Sequence, residues 1–306
     1  MSPRSQPADP RVEVDGHEIT LKRLDKVLYP ETGTSKGEVL DYYARIAPVL
    51  LPHLADRPVT RIRWPDGVES SQFFEKNVPS HAPSWLRTVV LPTPGSSRNR
   101  ETLAFPIIEN TAGLIWAVNI AALEFHVPQW TVGPRGGVRH PTRLVIDLDP
   151  GAPAGLAECA EAAHLIAERL RQDGLESFPV TSGSKGLQLY APLAGRQPAE
   201  VVHGYAKALA EELAAQHPTL LVAKMLKALR GGKVLLDWSQ NNPAKTTICP
   251  YSLRGRAHPW VAAPRTWDEI GSAGLGQLSS GEVLDRVAEH GDLAAAMLEP
   301  GGTIPR

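Results

Sequence analysis

The sequence predicts one large α/β (α+β) unit. Two observations carry this. Short apolar strands that end in carboxylates or small-residue loops alternate with amphipathic helices from one end to the other. No repeat, composition break or low-complexity linker divides the 306 residues. That length allows one large domain or two ordinary ones, and it buries about three quarters of the unfolded surface without a disulfide or zinc staple. The expected layout is a flexible tail over 1–10, a single catalytic domain over 11–298 and a C-terminal tail over 299–306.

The elements follow in order. Residues 12–21 alternate around Asp15-Gly16, a hairpin signal because such a turn needs positive φ. Ser35 and Glu38 form a capping-box pattern before Val39, Tyr42, Tyr43, Ile46, Val49 and Leu50, which predicts a helix over about 36–50. Residues 59–64 read as a strand with Arg61 and Arg63 alternating outward. A helix is expected over 113–123 and a strand over 143–148. The run 154–173 carries Ala, Leu and Ile at helical spacing. Strands over 178–181 and 187–191 flank a small-residue loop. A helix over 199–217, a strand over 234–238 and a last helix over 292–298 complete the chain.

Composition narrows the class. Hydrophobic residues make up 42% and charged residues 21%, as in globular rather than disordered chains. Thirty-two Lys and Arg against 33 Asp and Glu give a net charge of -1. This argues against a nucleic-acid coat protein or a polybasic membrane binder, but not against an enzyme with segregated charge. The two cysteines, Cys159 and Cys249, form no C-x-x-C pair, so a cysteine-built zinc or redox site is excluded. The first ten residues lack a signal-peptide core, and the most apolar stretch, 114–127, is too short to span a bilayer. A cytoplasmic protein is expected.

Three clusters carry chemistry. In Leu144-Val145-Ile146-Asp147-Leu148-Asp149-Pro150-Gly151, an apolar strand ends in carboxylates two residues apart, which project to one side. They repel unless a cation lies between them, and a hard divalent ion with oxygen ligands answers that need. A plain strand end with an Asp-Pro-Gly turn is the bland alternative, and some phosphatases also place Asp-x-Asp after an apolar strand. In Thr181-Ser182-Gly183-Ser184-Lys185-Gly186-Leu187, glycines let backbone N–H groups approach an anion while hydroxyls and Lys185 add donors. A hairpin loop with a solvated lysine is the alternative there. A third apolar strand ends at Asp237, with Gln240 and Lys245 following; a third carboxylate suits a two-metal site. Basic residues gather between 224 and 256, against Asp237 as the only acid. Lys26 and Lys36 flank a Gly-containing turn at a helix start, suited to a phosphate. Phe73 and Phe74, with Arg61 and Arg63 nearby, suit base stacking, although adjacent aromatics in a strand are as often half core. His126 follows an apolar run, where a lone histidine is more often a satisfied core residue but could also reach a phosphate.

Together these residues resemble the polymerase domain of bacterial end-joining DNA ligase D, within the archaeo-eukaryotic primase superfamily. The resemblance is carried by Leu24-Asp25-Lys26-Val27-Leu28-Tyr29-Pro30, Arg57-Pro58-Val59-Thr60-Arg61, Phe73-Phe74-Glu75-Lys76, His126-Val127-Pro128-Gln129-Trp130, Leu148-Asp149-Pro150-Gly151, Ser182-Gly183-Ser184-Lys185-Gly186-Leu187, Asp237-Trp238-Ser239-Gln240-Asn241 and Tyr251-Ser252-Leu253-Arg254-Gly255-Arg256. It implies a primase-like catalytic fold with two sheets and flanking helices around a central cleft. It implies that Asp147, Asp149 and Asp237 bind two divalent ions, Mn²⁺ or Mg²⁺. Ser182, Lys185, His126 and Arg254 would hold an incoming NTP or dNTP, with Gln188, Gln240 and Lys245 nearby. Arg23, Lys26 and Lys36 would bind the 5′-phosphate of gapped or broken DNA, and Phe73 and Phe74 would stack on the template. The implied activity is nucleotide addition to primer 3′ ends, favouring ribonucleotides, in end joining or excision-repair gap filling. The chain is expected to act as a nucleoid-associated, free-standing monomer, with DNA ligase and Ku in trans.

Three positions depart from the pattern. Gln188 stands where the family usually has histidine, so it can donate a hydrogen bond but carry no charge. Arg23 replaces a polar Asn and offers a fork to phosphate. Ile62 replaces a residue that is basic in some relatives. Two other readings stay open. One is a catalytically degenerate DNA-binding repair module, invited by Gln188. The other is an Asp-x-Asp phosphohydrolase, which the Pro150-Gly151 continuation and the Ser-Gly-Ser-Lys-Gly loop disfavour.

Overall fold

A computed structural model describes residues 9–93 and 101–305. Residues 1–8, most of the expected N-terminal tail, lie outside the described residues, as does the final residue of the expected C-terminal tail. Two larger sheets organise the chain. The six-stranded sheet runs Leu221–Val222, Val234–Asp237, Arg143–Pro150, Leu187–Pro192, Phe178–Thr181, Ala263–Pro264. Its pairs are antiparallel except for the first. The four-stranded sheet runs Thr247–Ile248, Ala122–Val127, Thr60–Arg63, Phe73–Glu75, all antiparallel.

Period-two alternation decides which face of the larger sheet does what. Leu144, Ile146, Leu148, Leu187, Leu189 and Ala191 pack on helices Leu156–Gln172 and Ala199–Gln216. The opposite face carries Val145, Val180 and Tyr190, which join a core with the four-stranded sheet and helices Lys36–Leu54 and Thr111–Asn119. Asp147 and Asp149 follow Val145 on this second face, so strand periodicity aims them between the sheets.

Most expected elements stand where the sequence puts them. The Asp15-Gly16 hairpin is formed, with Asp15 at φ 50 and Gly16 at φ 75. The Ser35–Glu38 capping box is present, and its helix continues past Pro48 to Leu54. Three expectations need correction. The helix expected over 113–123 is Thr111–Asn119, started by Asn110 accepting the Gly113 N–H at 2.8 Å. The chain then turns at Ala121 (φ 68) into a strand. The helix expected over 292–298 is a single turn, Ala295–Leu298. The real helix, Ser280–His290, starts one segment earlier on a Ser279–Glu282 capping box. The segment after 298 is not loose: Ile304 is buried and exchanges hydrogen bonds with Gln197, and Gly302 bridges Leu193.

Candidate active site

Antiparallel register brings the acids together. Asp147 pairs with Asp237 on one side and with Gln188 on the other. Directly opposed residues share a face, so all three side chains point to the same place. One carboxylate oxygen from each of Asp147, Asp149 and Asp237 lies within 4.8 Å of the others. Burial, followed by the charges of Asp149 and then Asp237, pushes the Asp147 carboxyl up to about 7, while Gln188 donates to it and pulls the other way. Burial and Asp237 raise Asp149 as well, with Arg230 and Arg254 opposing. Asp237 is braced from its own strand end: Oδ1 accepts from the Ser239 N–H at 2.9 Å and its hydroxyl at 2.5 Å, and Oδ2 accepts from Gln240 at 3.0 Å. Lys245 donates to the Ser239 hydroxyl and so joins the same network. Crowded hard oxygen donors that repel one another fit a divalent cation.

Asp147 and Asp149 line an open cleft of about 650 Å³, with Asp237 buried behind them. Ser182, Lys185, Lys227, Arg230, Arg254 and Arg256 line the rest. The 182–186 loop folds around the Ser182 hydroxyl, which accepts from the N–H groups of Ser184 (3.3 Å) and Gly186 (3.2 Å). Two glycines are required here. Gly183 sits at φ +67 against Arg254 and the Val261 carbonyl, and a Cβ on Gly186 would overlap the Leu148 carbonyl oxygen. The loop thus lies on the acid-bearing strand, with Lys185 exposed at its tip. Gln188 is buried, and its Oε1 accepts from the Tyr190 hydroxyl at 3.0 Å.

His126, Gln240 and Lys245 do not line this cleft. His126 projects from the smaller sheet, and its Nε2 lies 2.7 Å from Glu124, which also faces Arg254 at 3.5 Å. Gln240 and Lys245 brace Asp237 and its neighbour instead.

The cations expected around a phosphate lie together in the turn before the first long helix. Lys36 Nζ is buried and donates to the Lys22 carbonyl (2.5 Å) and to Asn119 (2.8 Å). Burial foremost, then Arg23 together with Lys22 and Lys26, lowers Lys36 to about 8. Arg23 turns the chain at φ 54, and Lys26 pairs with Asp66 at 2.7 Å. Such a cluster of cations suits an anion. Asn119 and Asp66 were not singled out from sequence; they lie 83 and 40 residues from their partners, and no local pattern marks them.

Phe73 and Phe74 are 50% and 55% exposed on the edge strand of the smaller sheet, with Lys76 over the Phe74 ring. The neighbouring arginines are a correction. Arg61 is fully buried, donates to the Asn77 carbonyl at 2.7 Å, lies 3.8 Å from Glu75 and stacks over Trp116. Arg63 is tied to Glu75 and the Ile120 carbonyl. The helix Thr111–Asn119 covers this face through Trp116, and both arginines hold the sheet to its neighbours. Among the described residues, no helix is long and apolar enough to cross a membrane.

Comparison with known proteins agrees with this geometry. The family described as "LigD, primase-polymerase domain" matches residues 35–294. The multifunctional non-homologous end joining protein LigD of Mycolicibacterium smegmatis is 51% identical over 282 residues, 91% of this chain and 36% of that protein. The bifunctional non-homologous end joining protein LigD of Bacillus subtilis is 33% identical over 289 residues, 94% of this chain and 44% of that one. The chain therefore spans well under half the length of these relatives. The solved polymerase domain of Mycobacterium tuberculosis ligase D, determined in complex with DNA, superposes with a TM-score of 0.87 at 48% identity, covering 92% of this chain and 98% of that one. Its mixed α/β architecture is the one described above. On these grounds the chain belongs to the LigD primase-polymerase domain family of nucleotidyl-transferring polymerases.

Proposed function

We propose that this chain extends primer 3′ ends in end-joining DNA repair, at breaks and short gaps that carry a 5′-phosphate, and that it favours ribonucleotides. The supporting observation is the convergence of three carboxylates from two paired strands within 4.8 Å, two of them lining a cleft otherwise rich in cations. Asp147, Asp149 and Asp237 would hold two divalent ions, with Mn²⁺ preferred. Bound there, the ions lower the pKa of the primer 3′-hydroxyl and neutralise charge on the leaving pyrophosphate. Ser182, Lys185 and Arg254 bind the triphosphate and stabilise the charge that builds on it, and His126 reaches the same group from the smaller sheet. Gln188 steadies Asp147, while Gln240 and Lys245 steady Asp237. Arg23, Lys26 and Lys36 take the 5′-phosphate beyond the gap, and Phe73 and Phe74 stack on the template. The catalytic unit begins near residue 11, includes the packed segment after 298 and acts as a monomer, with DNA ligase sealing the filled end and Ku holding it.

The test is extension of a primer across a short gap with Mn²⁺ and nucleoside triphosphates, using ribo- and deoxyribonucleotides on gaps with and without a 5′-phosphate. Extension is expected, fastest with ribonucleotides on the phosphorylated gap, and Asp147→Ala or Asp237→Ala should abolish it. Full activity in either variant would remove the metal assignment. Binding without extension would instead indicate a degenerate DNA-binding module, and phosphate release without DNA a phosphohydrolase.

A further inference from the structure

Glu124 lies two residues before His126 on strand Ala122–Val127, hence on the same side of it. It is only 4% exposed, and three donors converge on it. His126 Nε2 lies 2.7 Å and Arg254 Nη1 3.5 Å from Oε2, while Oε1 accepts the Gly255 N–H at 2.9 Å. Burial works against its charge, but His126, Arg254 and Gly255 outweigh it and hold the carboxyl down to about 2. Two side chains assigned to the triphosphate, from different segments of the chain, therefore share one ionised carboxylate. Arg254 also lines the cleft together with Asp147 and Asp149, so one guanidinium is shared between the Glu124 carboxylate and the cleft. Its Nε is buried with no partner among the described residues, a donor that an arriving anion would satisfy.

A plain staple holding the 251–256 segment is the competing explanation, and the segment does not need one. The hydroxyls of Tyr29 and Tyr42 donate to the carbonyls of Arg254 and Tyr251, and the Leu253 N–H donates to the Tyr43 hydroxyl. The main chain is thus fixed independently of Glu124, which leaves the Arg254 side chain as what the carboxylate directs.

We infer that Glu124 is the positioning residue of the triphosphate site, a single buried carboxylate that sets the spacing and direction of His126 and Arg254 before the nucleotide arrives. This rests on the nucleotidyl-transfer reading and deepens it. Prearranged donors lose less freedom on binding and need no reorganisation as charge develops.

Glu124→Gln in the full chain tests it. The amide keeps the size and the acceptor for Gly255 but turns an N–H toward Arg254. Nucleotide KM on the gapped substrate should rise about tenfold or more, with a smaller fall in kcat because Arg254 also stabilises the developing charge, while Mn²⁺ affinity and 5′-phosphate discrimination should stay unchanged. A folded Glu124→Gln chain with unchanged nucleotide KM overturns the inference, and so does a loss confined to thermal stability. If Glu124→Gln does not fold, Arg254→Ala, His126→Ala and their combination carry the test. Residues that rely on one carboxylate should lose less nucleotide affinity together than the product of their separate losses. Independent losses overturn the inference. Failure of the unaltered chain to bind a nucleoside triphosphate at all would be seen first, and would overturn the transfer reading and this inference with it.

Discussion

Asp147→Asn offers a measurement of what the acid cluster costs the fold. With a folded pKa of about 7 against an ordinary 3.8, Asp147 is protonated in both states below about pH 4 and contributes nothing there. Between the two values the unfolded chain ionises while the folded one resists. Stability therefore falls as pH rises, and the whole penalty is present above about pH 7. Roughly three pH units at 1.36 kcal/mol each give a penalty on the order of 4 kcal/mol, an upper value because solvent reaches the cluster. In a chain of this size that is roughly 5–10 °C in Tm. Asparagine keeps the shape without the charge, so the variant should lack this term. The assay is thermal melting at pH 5 and pH 8, with chelator or with Mn²⁺, for both proteins. In chelator the unaltered chain should lose several degrees more than the variant between the two pH values. At pH 8, Mn²⁺ should return the unaltered chain to its pH 5 stability and raise the variant much less. Parallel pH dependence in the two proteins, or an equal Mn²⁺ response, would refute the account of the cluster as mutually repelling carboxylates that a cation relieves.

Other expectations follow from the same geometry. Lys36→Ala should bring affinity for phosphorylated and unphosphorylated gaps close together and lower the salt slope of binding by about 1, since one phosphate contact is lost; gel shifts over a salt series check it. Phe74→Ala should weaken template binding by about 1–3 kcal/mol with little change in Tm, because the ring is half exposed; fluorescence anisotropy and melting together read both. Arg61→Ala should destabilise the fold by about 3–5 kcal/mol, because it leaves Glu75 and the Asn77 carbonyl without their buried partner. Urea unfolding measures this, and weakened DNA binding with unchanged stability would return Arg61 to the DNA surface.

Much of the site was legible because it is written within single elements. Asp147 and Asp149 share a face by strand period alone, and the need of Gly183 and Gly186 for close approach is visible as a small-residue loop between two strands. What sequence could not show is which strand lies beside which. The register opposing Asp147 to Asp237 joins positions 90 apart, and Glu124 gains its meaning from Arg254, 130 residues on. Arg61 misled for the same reason: alternation reports two faces but not whether both are covered, and Trp116 of the helix Thr111–Asn119 packs over this one. The helix Ser280–His290 carries the same capping signature as the first long helix. Its apolar stripe is thin, with Val283 its one buried residue, so periodicity did not single it out.

The net charge of -1 takes on a different meaning once the residues have positions. Five basic side chains, Lys185, Lys227, Arg230, Arg254 and Arg256, line a cleft with Asp147 and Asp149, behind which Asp237 completes the acid cluster. Without a cation the carboxylates offset part of that positive charge, Arg230 and Arg254 acting on Asp149. Neutralising the carboxylates releases those arginines to face an incoming anion. On the proposed function, affinity for a triphosphate would be linked to affinity for a divalent ion, and linkage would require each to strengthen the other by the same factor. A near-neutral chain can thus be a weak binder of plain duplex and still a strong binder of nucleotide once the acids are occupied, because its positive field is held in reserve by its own carboxylates.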